Sequence, residues 1–98
     1  MSDELDTRRI EANKTHHWTK LEDEIILLHQ EKSVYYTLNG VAARAWELLQ
    51  QPQTVDEMVR TLTEEYDVSS EVCRPDLIGC LQDLIRLGFI RFQDDLAD

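Results

Sequence analysis

Two kinds of hydrophobic pattern follow one another along this chain of 98 residues, and the change between them strongly constrains its fold. Residues 15–20, 24–30 and 33–38 are rich in β-branched and aromatic residues, with short polar turns between them. This pattern is typical of adjacent β-strands. From Gly40 onward, apolar residues recur at intervals of three and four, which indicates helices. The predicted order is therefore three strands followed by three helices.

Capping signals mark where the first two helices begin and end. The first helix is predicted over residues 40–51, with Asn39 as its N-cap and Pro52 after its end. Thr54 and Glu57 have the spacing of a capping box at the start of the second helix. This second helix is predicted to end near Tyr66 and Asp67.

The third helix is the longest of the three and has a proline near its start. It is predicted to begin at Ser69 or Ser70 and to stop at Gly88, because glycine favours the left-handed conformation that ends a helix. Pro75 falls just past the first turn, where it removes a hydrogen bond, so we expect a bent or two-part start.

The two ends of the chain are polar or acidic. Residues 1–13 have no useful period and are predicted to be a mobile tail, and residues 94–98 form an acidic tail. The domain is therefore predicted over residues 14–93, and the apolar run 89–92 could add a short strand. We expect an α+β fold of the winged helix-turn-helix type, with three N-terminal antiparallel strands and three helices.

The acidic composition argues against nucleic acid as the partner. The chain has 20 acidic and 10 basic residues, for a formal net charge of −10, whereas DNA binding draws on Lys and Arg to neutralise phosphates. This charge suits a neutral or basic polypeptide partner, or simply solubility. No apolar run approaches the ~20 residues of a membrane span, and the N-terminus does not resemble a signal peptide, so we expect a cytoplasmic protein.

The sequence has no set of residues typical of catalysis or metal binding. His16 and His17 are adjacent, so their rings face opposite ways on a strand. Cys73 and Cys80 are too far apart on a helix to form a disulfide. The three histidines and two cysteines match no metal-ligand spacing, and the three glycines form no phosphate-binding loop. We therefore expect no enzymatic activity, no metal and no cofactor.

The third helix carries a wider apolar surface than one amphipathic face needs. One set of residues follows alternating four- and three-residue spacings: Cys73, Leu77, Cys80, Leu84 and Leu87. A second set lies on the neighbouring face: Ile78, Leu81 and Ile85. Either both sets belong to the core, or one of them lines an open groove.

The third strand is compatible with such a groove. Tyr36 and Leu38 share with Val34 the face that we expect to meet the core, and Tyr35 and Thr37 point the other way. If this strand lies at the edge of its sheet, its unpaired N–H and C=O groups can accept an extended peptide as a further strand. The alternative is that the tyrosines are ordinary cross-strand packing residues.

The order and spacing of several short segments carry a resemblance to a known family. The segments are VYYTLN at 34–39, AARAWELL at 42–49, TVDEMV at 54–59, YDV at 66–68, DL at 76–77, LQDL at 81–84 and LGFI at 87–90. Over residues 15–92 this pattern resembles the PqqD-like family, the precursor-peptide recognition elements of ribosomally made peptides. It is most similar to the stand-alone leader-binding proteins of lasso-peptide pathways.

The resemblance implies that a leader peptide adds as a strand to the third strand and lies against the third helix. Asp76 takes the acidic position that the family has early in this helix, where it could meet an N–H, a hydroxyl or a cation of the leader. The peptide-binding residues implied by the resemblance are Ser33, Val34, Tyr35, Tyr36, Thr37, Leu38, Asp76, Leu77, Cys80, Leu81 and Leu84.

The implied partners are the precursor (leader) peptide, a leader peptidase and an ATP-dependent ring-closing enzyme. A PqqD-type peptide chaperone of another pathway remains an alternative. A DNA-binding winged-helix regulator is a further alternative, although such a protein should have a basic recognition helix. The third helix instead carries two basic residues against three acidic ones: Arg74 and Arg86 against Glu71, Asp76 and Asp83.

Overall fold

The computed structural model describes residues 8–14, 16–29 and 31–93, which form an α+β fold of antiparallel strands and three helices. The predicted fold class is confirmed at this level. Five strands lie within these residues, in one sheet of three strands and one of two, where the sequence predicted three N-terminal strands and named the run 89–92 as a further short one.

The larger sheet has the strand order β2 (His17–Leu21), β3 (Glu24–His29) and β4 (Val34–Asn39), and each pair is antiparallel. Its members match the three predicted strands with shifted ends. Ser33 has φ 56° and lies in the turn before β4, so the strand runs one residue later at both ends than predicted.

The three helices are α1 (Gly40–Leu48), α2 (Val55–Glu65) and α3 (Ser70–Leu87). The predicted capping box is present at the start of α2, because the Glu57 N–H donates to Thr54 Oγ1 and the Thr54 N–H donates to Glu57 Oε1. Each of these two hydrogen bonds stabilises the start of α2, because it gives a partner to an N–H group that has none within the helix.

The end of α3 is the glycine stop that the sequence predicted. Gly88 has φ 87°, its N–H donates to the Ile85 carbonyl, and the Phe89 N–H donates to the Leu84 carbonyl. This is a Schellman motif, which requires the left-handed conformation at Gly88 and directs Phe89 back towards the core. Phe89 is fully buried.

The predicted start of the first helix is confirmed, and its predicted end is wrong. Asn39 is the N-cap residue of α1 and has an extended backbone, although its side chain makes no capping hydrogen bond. The first helix ends at Leu48 rather than residue 51, because the N–H groups of Gln50 and Gln51 donate to carbonyls three residues earlier.

Pro75 does not divide α3, which is continuous over its 18 residues. The predicted two-part start is therefore absent. Pro75 lacks the N–H that would donate to the carbonyl of Glu71. Because both residues are exposed in the first turns of the helix, this carbonyl can bind water instead.

The predicted tail over residues 1–13 is wrong at its C-terminal end. Strand β1 (Ile10–Ala12) pairs with β5 (Ile90–Phe92), and the side chains of Ile10 and Ala12 are fully buried. A strand of three residues shows too little alternation to be recognised in a sequence. The domain therefore begins before residue 14, and residues 1–7 and 94–98, the other parts of the predicted tails, lie outside the described residues.

The core lies between the inner face of the larger sheet and the helices. Ile25 and Leu27 contribute from β3, Trp46 from α1, and Leu62 from α2, and each is at most 1% exposed. The most buried residues of α3 are Cys73, Leu77, Leu81 and Leu84. One side of α3 therefore packs in the core, and its other sides face the surface of the domain.

Candidate peptide-binding groove

Strand β4 has one unpaired edge. It pairs with β3 through Leu27↔Tyr36 and Ile25↔Leu38, and no other strand of residues 8–14, 16–29 and 31–93 pairs with it. Tyr36 and Leu38 pack against the core, as predicted, whereas Val34 on the same face is 42% exposed at the start of the strand.

The sheet register determines which backbone groups face this open edge. Leu21 and Glu24 pair across a turn of two residues, and such a closing pair is joined by hydrogen bonds. The backbone groups of successive residues point to alternate sides of a strand. Because Glu24 bonds to β2, Ile26 also bonds to β2, whereas Ile25 bonds to Leu38 of β4. Thr37, opposite Ile26, therefore directs its N–H and C=O to the open edge, as does Tyr35. Asn39 directs its N–H there, whereas its carbonyl, at the N-cap of α1, faces into the helix.

A groove of about 410 Å³ lies between this edge and α3, and we call it the β4–α3 groove. From β4 it is lined by Tyr36, Thr37 and Leu38. From α3 it is lined by Cys80, Asp83, Leu84, Arg86 and Leu87. An unpaired strand edge beside an apolar helix face is the arrangement to which an extended peptide can add.

The position of Phe89 orients the β4–α3 groove. The Tyr36 ring packs edge-on against the Phe89 ring, with the centroids 5.4 Å apart. Because Phe89 follows the end of α3, Tyr36 lies at the Leu87 end of the groove. Leu38 is two residues further along β4, about 6.6 Å away, and so lies towards the Cys80 end.

Five of the eleven predicted peptide-binding residues line this groove: Tyr36, Thr37, Leu38, Cys80 and Leu84. Leu77 and Leu81 belong to the core, with exposures of 1% and 0%. Asp76 is exposed on α3 but does not line the groove. Ser33 precedes the strand, and Val34 and Tyr35 are exposed outside the groove.

Three lining residues were missed by the sequence analysis. Leu87 was recognised in the apolar stripe of the helix but was not selected, although it lies seven residues after Cys80 on the same face. Asp83 and Arg86 form an ion pair of 2.9 Å on the exposed rim. Their three-residue spacing on a helix could have predicted this pair.

The environment of the two thiols keeps them neutral. Burial raises the pKa of the Cys80 thiol, and the neighbouring Asp83 carboxylate raises it further. Burial also raises the pKa of Cys73, with a smaller contribution from Asp76 in the same direction. Both cysteines are free, and Cys80 presents an uncharged, half-buried side chain to the groove.

The outer face of the larger sheet carries a second apolar depression of about 490 Å³. It is lined by His17, Trp18, Thr19, Ile26, Leu28 and Tyr35. Tyr35, which is 69% exposed, therefore belongs to a different surface from Tyr36. Successive side chains of a strand point to opposite faces of its sheet, so the adjacent positions of Tyr35 and Tyr36 in β4 predict that they lie on different surfaces.

The histidines contribute to packing. His16 and His29 lie with ring centroids 4.7 Å apart, and both pack edge-on against Phe89. His16 Nε2 lies 3.1 Å from the Gly88 carbonyl oxygen. Within residues 8–14, 16–29 and 31–93, no group of three or more His, Cys, Asp or Glu side chains could hold a metal ion.

Several basic side chains of the helices are engaged by neighbouring carboxylates. Arg44 bonds to Glu65, Arg74 bonds to Asp56, and Arg86 bonds to Asp83. Such pairs leave little positive potential for a phosphate backbone, which disfavours a nucleic-acid interface. No helix in the described part of the chain is long and apolar enough to span a bilayer.

Comparisons with known proteins relate this geometry to a family. The family model described as coenzyme PQQ synthesis protein D (PqqD) matches residues 24–90. No curated protein matches the chain.

Two solved structures share the fold. TbiB1 in complex with the TbiA(beta) leader peptide is 26% identical with a TM-score of 0.76, over 83% of this chain and 94% of that chain. Lasso peptide synthetase B1 complexed with the leader peptide is 20% identical with a TM-score of 0.73, over 84% of this chain and 96% of that chain. The second likeness concerns the fold alone.

Proposed function

This chain belongs to the PqqD family, and from that premise we propose that it binds the leader segment of a ribosomally made precursor peptide without catalysing a reaction. The observation that carries the proposal is the open edge of β4 beside the apolar face of α3. The likeness to TbiB1, a protein whose structure was determined with a leader peptide, supports it.

The proposed mode of binding is strand addition. The N–H and C=O groups of Tyr35 and Thr37, together with the N–H of Asn39, pair with the backbone of the leader, which extends the sheet by one strand. Backbone pairing supplies affinity that is independent of side chains, and the groove supplies the selectivity. With the leader bound as a fourth strand of the larger sheet, the described residues then resemble a winged helix-turn-helix domain.

The proposed site is wider than the groove itself. Tyr36, Leu38, Cys80 and Leu84 contact the leader side chains that face α3, while Leu77 and Leu81 support this surface from the core. Asp76 and the start of the edge strand, Ser33 to Tyr35, lie where a leader longer than the groove would continue.

The proposed role in a pathway is delivery. A leader held on this domain has a raised effective concentration at any enzyme that also binds the domain. For a lasso-type pathway, which the resemblance of the sequence implies, the receiving enzymes are a leader peptidase and an ATP-dependent ring-closing enzyme. We place this activity in the cytoplasm.

The test is a fluorescence-anisotropy titration of the protein with the labelled leader peptide encoded beside its gene, and a scrambled leader is the control. We expect saturable binding of the native leader alone, at micromolar or tighter affinity. Absence of saturable binding to a sample whose circular dichroism shows a folded protein would overturn the proposal.

The mode of binding is tested separately with leaders that are N-methylated at one position each. Since alternate N–H groups of an added strand face β4, we expect the loss of affinity to recur at every second position. A uniform or aperiodic loss would contradict strand addition while leaving leader binding itself intact.

A further inference from the structure

The dimensions of the β4–α3 groove limit how much of a bound strand it contacts. Cys80 and Leu87 are seven residues apart, which corresponds to a rise of about 10 Å along a helix. An extended strand covers the same length with about three residues. The groove therefore accepts the side chains of two leader residues that are separated by one other residue.

These two leader positions can be assigned to β4 residues. Residues that pair directly across two strands have their side chains on the same face of the sheet. Tyr36 and Leu38 face α3, so the leader residues opposite them also face α3. One leader side chain meets the Leu87 end of the groove, and the other meets the Cys80 end.

The helix side of the groove is not uniform along its length. Leu84 and Leu87 are large, whereas Cys80, on the same stripe, is small and half-buried. Its thiol is uncharged, so this end of the groove is apolar, and the smaller side chain leaves more room for a leader residue. The charged residues of the rim, Asp83 and Arg86, pair with each other and leave no unbalanced charge for a leader residue.

We propose that Cys80 determines the size of the leader side chain that lies opposite Leu38. The groove then selects leaders that carry apolar side chains at two positions separated by one residue, the larger of them at the Cys80 end. This inference rests on the proposed function, because it assigns specificity within the leader-binding site.

The test is a competition titration with the native leader and with leaders changed singly to Ala, Leu, Phe or Trp at each position. The proteins compared are the native chain and its variants Cys80→Leu and Cys80→Ala. Gly79→Ala is the matched control, because a methyl group at Gly79 meets no atom within 4 Å and lies outside the groove.

For the native chain, we expect two size-sensitive leader positions separated by one residue. Cys80→Leu should weaken binding of the larger side chains at one of them by about 10- to 200-fold and favour Ala there, as expected for filling an apolar pocket. Cys80→Ala should raise the affinity of the Trp leader relative to the Leu leader at that same position. Gly79→Ala should leave the ranking of leaders unchanged.

The outcomes separate this inference from the proposed function. If no leader binds the folded native chain, the proposed function itself is wrong. If the native leader binds but the ranking of side chains is the same in the native chain and in Cys80→Leu, the role of Cys80 is wrong. Should Cys80→Leu fail to fold by circular dichroism, Cys80→Ala decides, because it enlarges the depression instead of filling it.

Discussion

Arg44 on α1 holds Glu65 at the end of α2 through two parallel hydrogen bonds. Arg44 Nε donates to Glu65 Oε1 and Arg44 Nη2 donates to Glu65 Oε2, both at 2.8 Å. The same guanidinium reaches Glu47, which also accepts a hydrogen bond from Lys20 on β2. This network therefore connects the larger sheet, α1 and α2 at the surface.

The network predicts a loss of stability in acid. Hydrogen bonds from Arg44 to Glu65, and from Lys20 and Arg44 to Glu47, lower the pKa of both carboxyls below their ordinary 4.5. A lowered folded-state pKa contributes stability above the unfolded value, and this contribution is lost as the pH falls through the folded value. Arg44→Met should therefore lower the midpoint of thermal unfolding at neutral pH, by an amount that shrinks below about pH 4.5 and with added salt.

The measurement is thermal unfolding followed by circular dichroism between neutral pH and pH 3, a range chosen to cross the usual carboxyl pKa values of about 4. Lys32→Met is the control, since it removes one positive charge from an exposed position of the turn before β4. An Arg44→Met effect that is independent of pH would contradict the assignment to these carboxylates.

Tyr36 should matter for leader binding while its neighbour Tyr35 should not. Tyr36 lines the β4–α3 groove, and Tyr35 lies on the opposite face of the sheet. We expect Tyr36→Ala to weaken leader binding by about 30-fold or more, since truncating a central aromatic residue of an interface costs ~2 kcal/mol or more. Tyr36→Phe should retain binding, because the ring that packs on Phe89 is kept.

Tyr35→Ala is the matched control for this measurement by fluorescence anisotropy. Equal losses from Tyr35→Ala and Tyr36→Ala would show that the leader does not lie specifically in the β4–α3 groove.

Two charged substitutions on α3 should have different effects. Leu84 is 3% exposed and also belongs to the core, so Leu84→Asp buries a carboxylate and should unfold the domain. Cys80 is half-buried at the groove, and an arginine there can extend its charged end to water. We expect Cys80→Arg to give a folded protein that no longer binds the leader.

Chemical unfolding and leader titration of the two variants check this pair. A folded Leu84→Asp variant would place Leu84 at the surface of the groove alone, and leader binding by Cys80→Arg would exclude Cys80 from the site.

Proline at Thr37 should weaken leader binding without unfolding the domain. The Thr37 N–H faces the open edge of β4, where proline is tolerated because no β3 hydrogen bond is lost. A bound leader strand would lose one hydrogen bond. Leu38→Pro, which removes an N–H bonded to β3, should instead destabilise the sheet.

Thr37→Val keeps the N–H and serves as the control in the same anisotropy titration. Unchanged affinity in a folded Thr37→Pro protein would argue against pairing at this position, and unfolding would mean that the Thr37 N–H bonds to β3.

Local signals account for most of the elements that the sequence predicted. The capping box of Thr54 and Glu57 and the glycine stop at Gly88 depend on residues within one turn of the helix, so spacing alone reveals them. The strands of the larger sheet are joined by short turns and have five or six residues each, enough to show their composition. The strand β1 is the exception, since its three residues are stabilised by pairing with β5 at the far end of the chain.

For the candidate site, the sequence by itself determined that an apolar helix and a tyrosine-bearing strand would supply its two sides. Only the tertiary structure decided which residues of α3 face the groove. Leu77 and Leu81 face the core, whereas Cys80 and Leu87 line the groove. The physical reason is that helical spacing defines which residues share a face, while the direction of that face depends on contacts with residues that are distant in sequence.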